Sequence, residues 1–259
     1  PWPRGIDLRT MLHRLGGVSA DDISAWVAGR LTRRFGATLR RESRLARAAV
    51  FCHCYMISAR RRLPRGTPLV YEAYNVETAL KEDLFQGPGW LPRLLRAATA
   101  RMERAALRHA EFTSCVSEED AREFRRRFPG AAAGFITAPS GVDARATCAL
   151  APAERLRLRR AIGFGDEPAA VFLGSGHPPN RDAARFLFEN VCPALPEVTF
   201  LLIGSVCGWF VSYPLPSNVI PFGVVEEEQK NFLLQLCDVA VNPMAAGSGA
   251  SLKIPDYLA

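Results

Sequence analysis

Val171-Phe172-Leu173-Gly174-Ser175-Gly176-His177-Pro178-Pro179-Asn180 reads as a short buried strand that runs into two glycines and then into a helix. Five consecutive apolar residues from Ala169 suit a strand covered on both faces, as in a parallel sheet. Glycines at the strand end let a backbone or a ligand come close, and the exposed amides of the following helix favour an anion. A GxG alone is weak evidence, because the same residues also serve a plain tight turn, and the longer GxGxxG is absent.

Working outward, the same rhythm recurs. Apolar runs at 198–203, 218–222 and 238–242 follow the first, with helical stretches between them; upstream, runs at 48–52, 68–73, 111–116 and 134–138 alternate with helices in the same way. The reading is an α/β chain with two Rossmann-like doubly wound domains, residues 1–145 and 146–259, facing each other across a cleft. The first forty-seven residues hold no convincing strand and an Arg-rich helix from about Ser24. The chain opens on Pro1 and stops at Ala259 inside an expected helix, so both domains are expected to be incomplete and the chain an internal fragment.

Two helices are legible in detail. From Trp90 to His109, Leu91, Leu94, Leu95, Ala98, Met102 and Ala105 share one side, and Arg93, Arg96, Arg101, Arg104 and Arg108 the other. Its basic face suits either solvent or an anionic membrane. The next helix starts at Ser117-Glu118-Glu119-Asp120, a good N-cap followed by acids that complement the positive helix end.

Composition narrows the class. At 48% apolar residues the chain can bury one large or two smaller cores. No apolar run approaches a membrane span and no leader opens the sequence, so the expectation is a cytoplasmic protein able to lie against the inner membrane face. Seven cysteines without CxxC spacing argue against a disulfide framework or zinc ribbon. Cys52-His53-Cys54 is a poor metal site, since adjacent strand side chains point to opposite faces. Residues 1–145 carry 25 basic against 15 acidic residues and 146–259 carry 8 against 11, so the first half suits an anionic surface or acceptor. Thirty of the 33 basic residues are Arg, which also fits a general compositional bias.

The second glycine-rich stretch is Asn242-Pro243-Met244-Ala245-Ala246-Gly247-Ser248-Gly249-Ala250-Ser251-Leu252-Lys253-Ile254-Pro255-Asp256-Tyr257. A strand end, a glycine-bracketed loop and a helix start with Lys253 nearby would cradle a diphosphate, and Asp256, one turn on, could accept both ribose hydroxyls.

Taken in order, Phe172-Leu173-Gly174-Ser175 with Pro179-Asn180, then Pro193-Ala194-Leu195-Pro196-Glu197-Val198 before a strand ending at Gly204, then Asn218-Val219 with Gly223, then the Gly247-Ser248-Gly249 to Asp256-Tyr257 segment resemble family-4 glycosyltransferases of the GT-B fold. Upstream, Tyr71-Glu72-Ala73-Tyr74-Asn75-Val76-Glu77 is similar to that family's acceptor-side segment, Val116-Ser117-Glu118 to its capped helix start, and Gly141-Val142-Asp143 to its interdomain strand end. The resemblance covers roughly residues 48–259. It implies transfer from a nucleotide-diphosphate sugar to a glycan or lipid-linked acceptor of the kind polysaccharide assembly uses, with retention, no metal and no cofactor. Gly174, Gly176 and Asn180 would lie by the donor, with Gly247, Gly249, Ala250, Ser251 and Asp256. Ser248 and Asp256 occupy the places of the two Glu in the family's E-x7-E pattern. Lys253 would steady the leaving diphosphate; His53, Asn75 and Glu77 would face the acceptor or the transferred sugar. Two departures stand out: Ser248 lacks the usual carboxylate, and Pro255 removes a donor and threatens a kink before Asp256.

Other readings share parts of this pattern: a GT-B epimerase or phosphorylase, a degenerate nucleotide binder without turnover, and a basic module for nucleic acid. The last lacks any helix-turn-helix, zinc-finger or RNP motif.

Overall fold

The computed structural model describes residues 33–131, 133–145, 148–245 and 253–259. Each of the eight apolar runs forms a strand, and all neighbouring strands pair in parallel. Two compact units divide the chain, the first ending at Pro139 and the second opening at Ser140.

In the first unit, helix α1 (Arg33–Glu42) leads to strands β1 (Ala49–Cys52), β2 (Leu69–Ala73), β3 (Phe112–Cys115) and β4 (Phe135–Thr137), which lie side by side in chain order. Between them run α2 (Glu77–Leu84), α3 (Trp90–His109) and α4 (Glu118–Arg127). The period-2 alternation of β2 sends Leu69, Tyr71 and Ala73 into the core with Phe51 and Cys115. Right-handed crossovers that wind in a single direction fall on one face of a sheet, so sequential strand order leaves the other face less covered. Val50 and Ile136 are accordingly half exposed.

Helix α3 has the bounds its periodicity predicts, but its inward stripe is rotated. Leu95, Thr99, Met102, Glu103, Ala106 and Leu107 are buried, whereas Leu94 is 55% exposed. Apolar spacing alone puts Leu94 inward; the structure turns the helix because Glu103 has polar partners to meet inside. At α4 the cap expectation holds: Ser117 Oγ accepts the Asp120 amide at 3.1 Å, and the Ser117 hydroxyl donates to Asp120 Oδ2 at 2.8 Å.

The second unit holds α5 (Pro152–Ala161), β5 (Ala169–Leu173), α6 (Pro178–Phe186), β6 (Thr199–Ile203), β7 (Val219–Gly223), α7 (Glu227–Leu236), β8 (Val239–Ala240) and α8 (Lys253–Leu258). Strand order is β7-β6-β5-β8. β5 is buried along its whole length, with Ala170 and Phe172 in one cluster and Ala169, Val171 and Leu173 in another, so both sheet faces carry a core. Order reverses at β5, which makes its carboxyl end a topological switch point, the usual ligand position in open α/β sheets. Beneath it, Arg159 is 3% exposed and donates to Leu236 O (2.6 Å), Glu167 O (3.2 Å) and Asp238 Oδ2 (2.6 Å), tying α5 to the approach of β8.

Candidate functional site

At the carboxyl end of β5 the glycine turn is shaped mainly by packing. Gly174 donates its amide to Ile203 O at 2.9 Å and accepts from Val206 N at 3.1 Å. A Cβ at 174 would come within 2.9 Å of Val206 Cγ1, and one at Gly204, where φ is +107°, would run into the Gly174 carbonyl. Gly176 donates to Ser205 Oγ at 2.9 Å beside the indole of Trp209. Pro178 and Pro179 then open α6 at positions where a missing N–H costs nothing.

Two of the sequence candidates meet here. Lys253 Nζ donates to Asn180 Oδ1 at 2.8 Å, and Asn180 Nδ2 donates to Ser175 Oγ at 3.0 Å. The ammonium stands 4.3 Å from the centre of the Phe172 ring and 3.4 Å from Met244 Sδ. Burial pushes the Lys253 ammonium down to about 8. Among the described residues it has no acidic partner. Arg181, next to Asn180, also lacks one and lies 4.1 Å over the Trp209 ring, which is 59% exposed.

Asp256 faces elsewhere. Its Oδ2 accepts from Lys230 Nζ at 3.0 Å, and Lys230 also reaches Glu227 at 2.6 Å. The next residue, Tyr257, accepts the Leu173 amide on its hydroxyl at 2.8 Å, which anchors α8 to the end of β5. Pro255 lies within α8, two residues after Lys253 and next to Asp256. Gly247, Ser248, Gly249, Ala250 and Ser251 lie outside the described residues.

The first unit gathers His53 and Glu77 at the ends of β1 and β2. His53 is the only non-glycine residue with positive φ among those described, at 68°, a conformation L residues avoid. Its Nδ1 shares a hydrogen bond with Glu77 Oε1 at 3.2 Å, and Tyr55 donates to Glu77 Oε2 at 2.9 Å. Burial works against the Glu77 carboxylate, but these two hydrogen bonds and nearby Lys81 outweigh it and hold it below its ordinary range. Asn75, half-buried, precedes this helix start, and Tyr74 sets its ring 5.1 Å from that of His53. Beneath them, Glu103 accepts the amides of Glu77 at 2.7 Å and Thr78 at 3.0 Å; burial raises it to about 7. Cys52 donates to Glu72 Oε2 at 3.0 Å while Cys54 is buried, so the trio diverges. Among the described residues no group of three His, Cys, Asp or Glu is placed to hold a metal.

No protein-family model matches the sequence, and no curated protein does. Solved structures do. Sucrose-phosphate synthase from Thermosynechococcus elongatus superposes with TM-score 0.67 at 15% identity, over 88% of this chain and 58% of that one. HepE from Anabaena, in complex with UDP-glucose, gives 0.57 at 16% identity over 82% and 57%. The catalytic domain of starch synthase IV from Arabidopsis thaliana, bound to ADP and acarbose, gives 0.59 at 11% identity over 92% and 59%. The fold is GT-B. The chain spans less than three-fifths of the length of these GT-B proteins.

Within this GT-B chain, sequence reading missed Ser205, Trp209, Lys230, Tyr55 and Glu103. One signal was available: the chain has only three lysines, Lys81, Lys230 and Lys253, against thirty arginines. None of the three is exposed, and each meets a carboxylate, an aromatic ring or an amide oxygen. Where Arg fills the surface, a retained Lys marks a place that needs a compact ammonium.

Proposed function

We propose that this chain is the greater part of a retaining glycosyltransferase of the family-4 type, moving a hexose from a nucleotide-diphosphate sugar to a glycan or lipid-linked acceptor. Residues 146–259 form the donor-binding domain and 1–145 the acceptor side. The observation that carries the reading is Lys253: a half-buried ammonium without an acidic partner among the described residues, placed by Asn180 at the switch point of a parallel sheet. Such a cation awaits an anion, and the diphosphate of a nucleotide sugar supplies one there.

Lys253, helped by Arg181, stabilises the leaving diphosphate; Asp256, paired to Lys230, is within α8 to meet the ribose. Ser248 and the loop glycines complete the donor cradle. His53 and Glu77, with Asn75, contact the acceptor or the transferred sugar. Binding of UDP-glucose by HepE and of ADP by starch synthase IV supports a nucleotide donor. The solvent face of α3, with Trp90 75% exposed beside Arg93, Arg101, Arg104 and Arg108, supports peripheral contact with an anionic membrane that presents the acceptor. No helix among the described residues is long and apolar enough to cross one.

Calorimetric titration with UDP, GDP and ADP tests the donor site. Micromolar binding selective for one base and weakened in Lys253→Ala and Asp256→Ala is expected, and absence of binding to all three removes the transferase. Turnover of the matching nucleotide sugar, with the anomer of the product read by NMR, separates a retaining enzyme from a nucleotide binder without turnover.

A further inference from the structure

Helix α2 begins without a cap of its own. Its N-cap position is Val76, whose side chain has no oxygen to offer the first free amides, and apolar β-branched residues are among the poorest caps. The missing acceptor comes from another helix: Glu103 on α3, wholly buried, takes the amides of Glu77 and Thr78 on its two oxygens at 2.7 and 3.0 Å. Glu77 is thus held at its backbone by Glu103, and its side chain in turn holds the His53 ring at Nδ1. Tyr55 occupies the second Glu77 oxygen, so the carboxylate has little freedom to rotate.

We propose that Glu103 is a positioning residue for His53: it fixes the first turn of α2 so that the Glu77 carboxylate keeps the imidazole proton on Nδ1 and presents Nε2 as the basic nitrogen. Nothing in apolar packing calls for a carboxylate there. Burial opposes the ionised form of Glu103, yet α3 is rotated to bring it inward and leave Leu94 outside. His53 shows the same pattern of local cost, held at φ 68° where glycine would rest more easily.

The inference rests on the transferase reading only for its kinetic arm. Glu103→Gln in the full chain keeps the side-chain shape but replaces one accepting oxygen by an NH2 that faces an amide donor, so half of the clamp is lost. Glu103→Asp retracts both oxygens by one methylene. Ring-nitrogen NMR of the four histidines, with His53 assigned from its loss in His53→Gln, reads the tautomer directly. The expected result is a His53 ring mainly protonated on Nδ1 in the native chain and a mixture of tautomers in Glu103→Gln, with nucleotide binding unchanged. Transfer should fall about tenfold without change in the donor KM, as misalignment of a reacting group predicts, and Glu103→Gln should add less than about twofold in the His53→Gln background, as for residues acting through one another. An unchanged ring in both Glu103 variants overturns the proposal, as does full additivity in the double variant or failure of both variants to fold. Absence of transfer by the native chain, with the tautomer shift intact, removes the transferase and leaves Glu103 as the residue that sets His53.

Discussion

Lys253 Nζ and Asn180 Oδ1 are joined by a hydrogen bond of 2.8 Å although the residues are 73 positions apart. The bond links α6 and α8, the helices that follow the neighbouring strands β5 and β8, and leaves a positive charge without an acidic partner among the described residues. A half-buried charge of this kind is a cost to folding that a bound anion offsets.

Lys253→Met should therefore separate stability from binding. Losing one charge-assisted contact predicts a nucleotide affinity lower by about tenfold or more, whereas thermal unfolding of the unliganded protein should occur at the same or a higher temperature. Because the folded chain lowers this pKa to about 8 from 10.5, the unfolded chain holds the proton more firmly. Stability should then rise, not fall, between those two pH values, and nucleotide affinity should drop as pH passes 8. Calorimetry at pH 7 and pH 9 reads the second effect, and Lys253→Met abolishes it.

Backbone strain at His53 predicts an inversion of the usual order of substitutions. Both His53→Ala and His53→Gly lose the imidazole, but only glycine relaxes at φ 68°. His53→Gly should be the more stable of the two by ~1–2 kcal/mol in urea unfolding, where helices and strands normally favour alanine.

Gly204→Ala combines φ +107° with a Cβ driven into the Gly174 carbonyl, and should cost ~3 kcal/mol or more. Gly66→Ala is the matched comparison: φ is +80° with nothing near the added atom, so about 1 kcal/mol is expected. Equal losses in urea unfolding would show that the clash contributes nothing.

The Arg159–Asp238 pair predicts an acid limb for the second unit. Burial raises the Asp238 carboxyl, but the Ala169 amide and Arg159 outweigh it and hold the pKa below the usual value of 3.8. The stabilisation is present above that value and is lost as pH falls through the lower folded pKa. Arg159→Met should cost about 3 kcal/mol, since it leaves the Leu236 and Glu167 carbonyls without this donor and Asp238 with only the Ala169 amide and Arg155. Asp238→Asn should flatten the acid limb, which chemical unfolding from pH 2 to pH 6 would record.

At the surface of α3, Trp90→Ser with Leu94→Ser should reduce sedimentation with anionic vesicles by about tenfold while leaving nucleotide binding intact. Vesicles of neutral lipid should bind neither form, and raising salt should weaken the native interaction. Equal binding to neutral and anionic vesicles would remove the membrane contact from the proposal.

Strand positions, the bounds of α3 and the Ser117 cap were legible in the sequence because they depend on local spacing: alternation in β2, an unbroken apolar run in β5, and a hydroxyl ahead of three acids. Lys253, Asn180, His53 and Glu77 were legible as candidates for the same reason, each lying just past a strand or at a helix start. Their pairings were not. That Lys253 meets Asn180 while Asp256 turns to Lys230 follows from the order β7-β6-β5-β8, which no local pattern encodes. Glu103 shows the limit most clearly: apolar periodicity puts Leu94 inside, yet a carboxylate is buried because helix α2, begun at Val76, needs an acceptor for amides more than twenty residues away in sequence. By itself the sequence determined an α/β chain of two parallel sheets. Only tertiary structure decided which charges are compensated and which remain open, because compensation depends on distances between groups far apart along the chain.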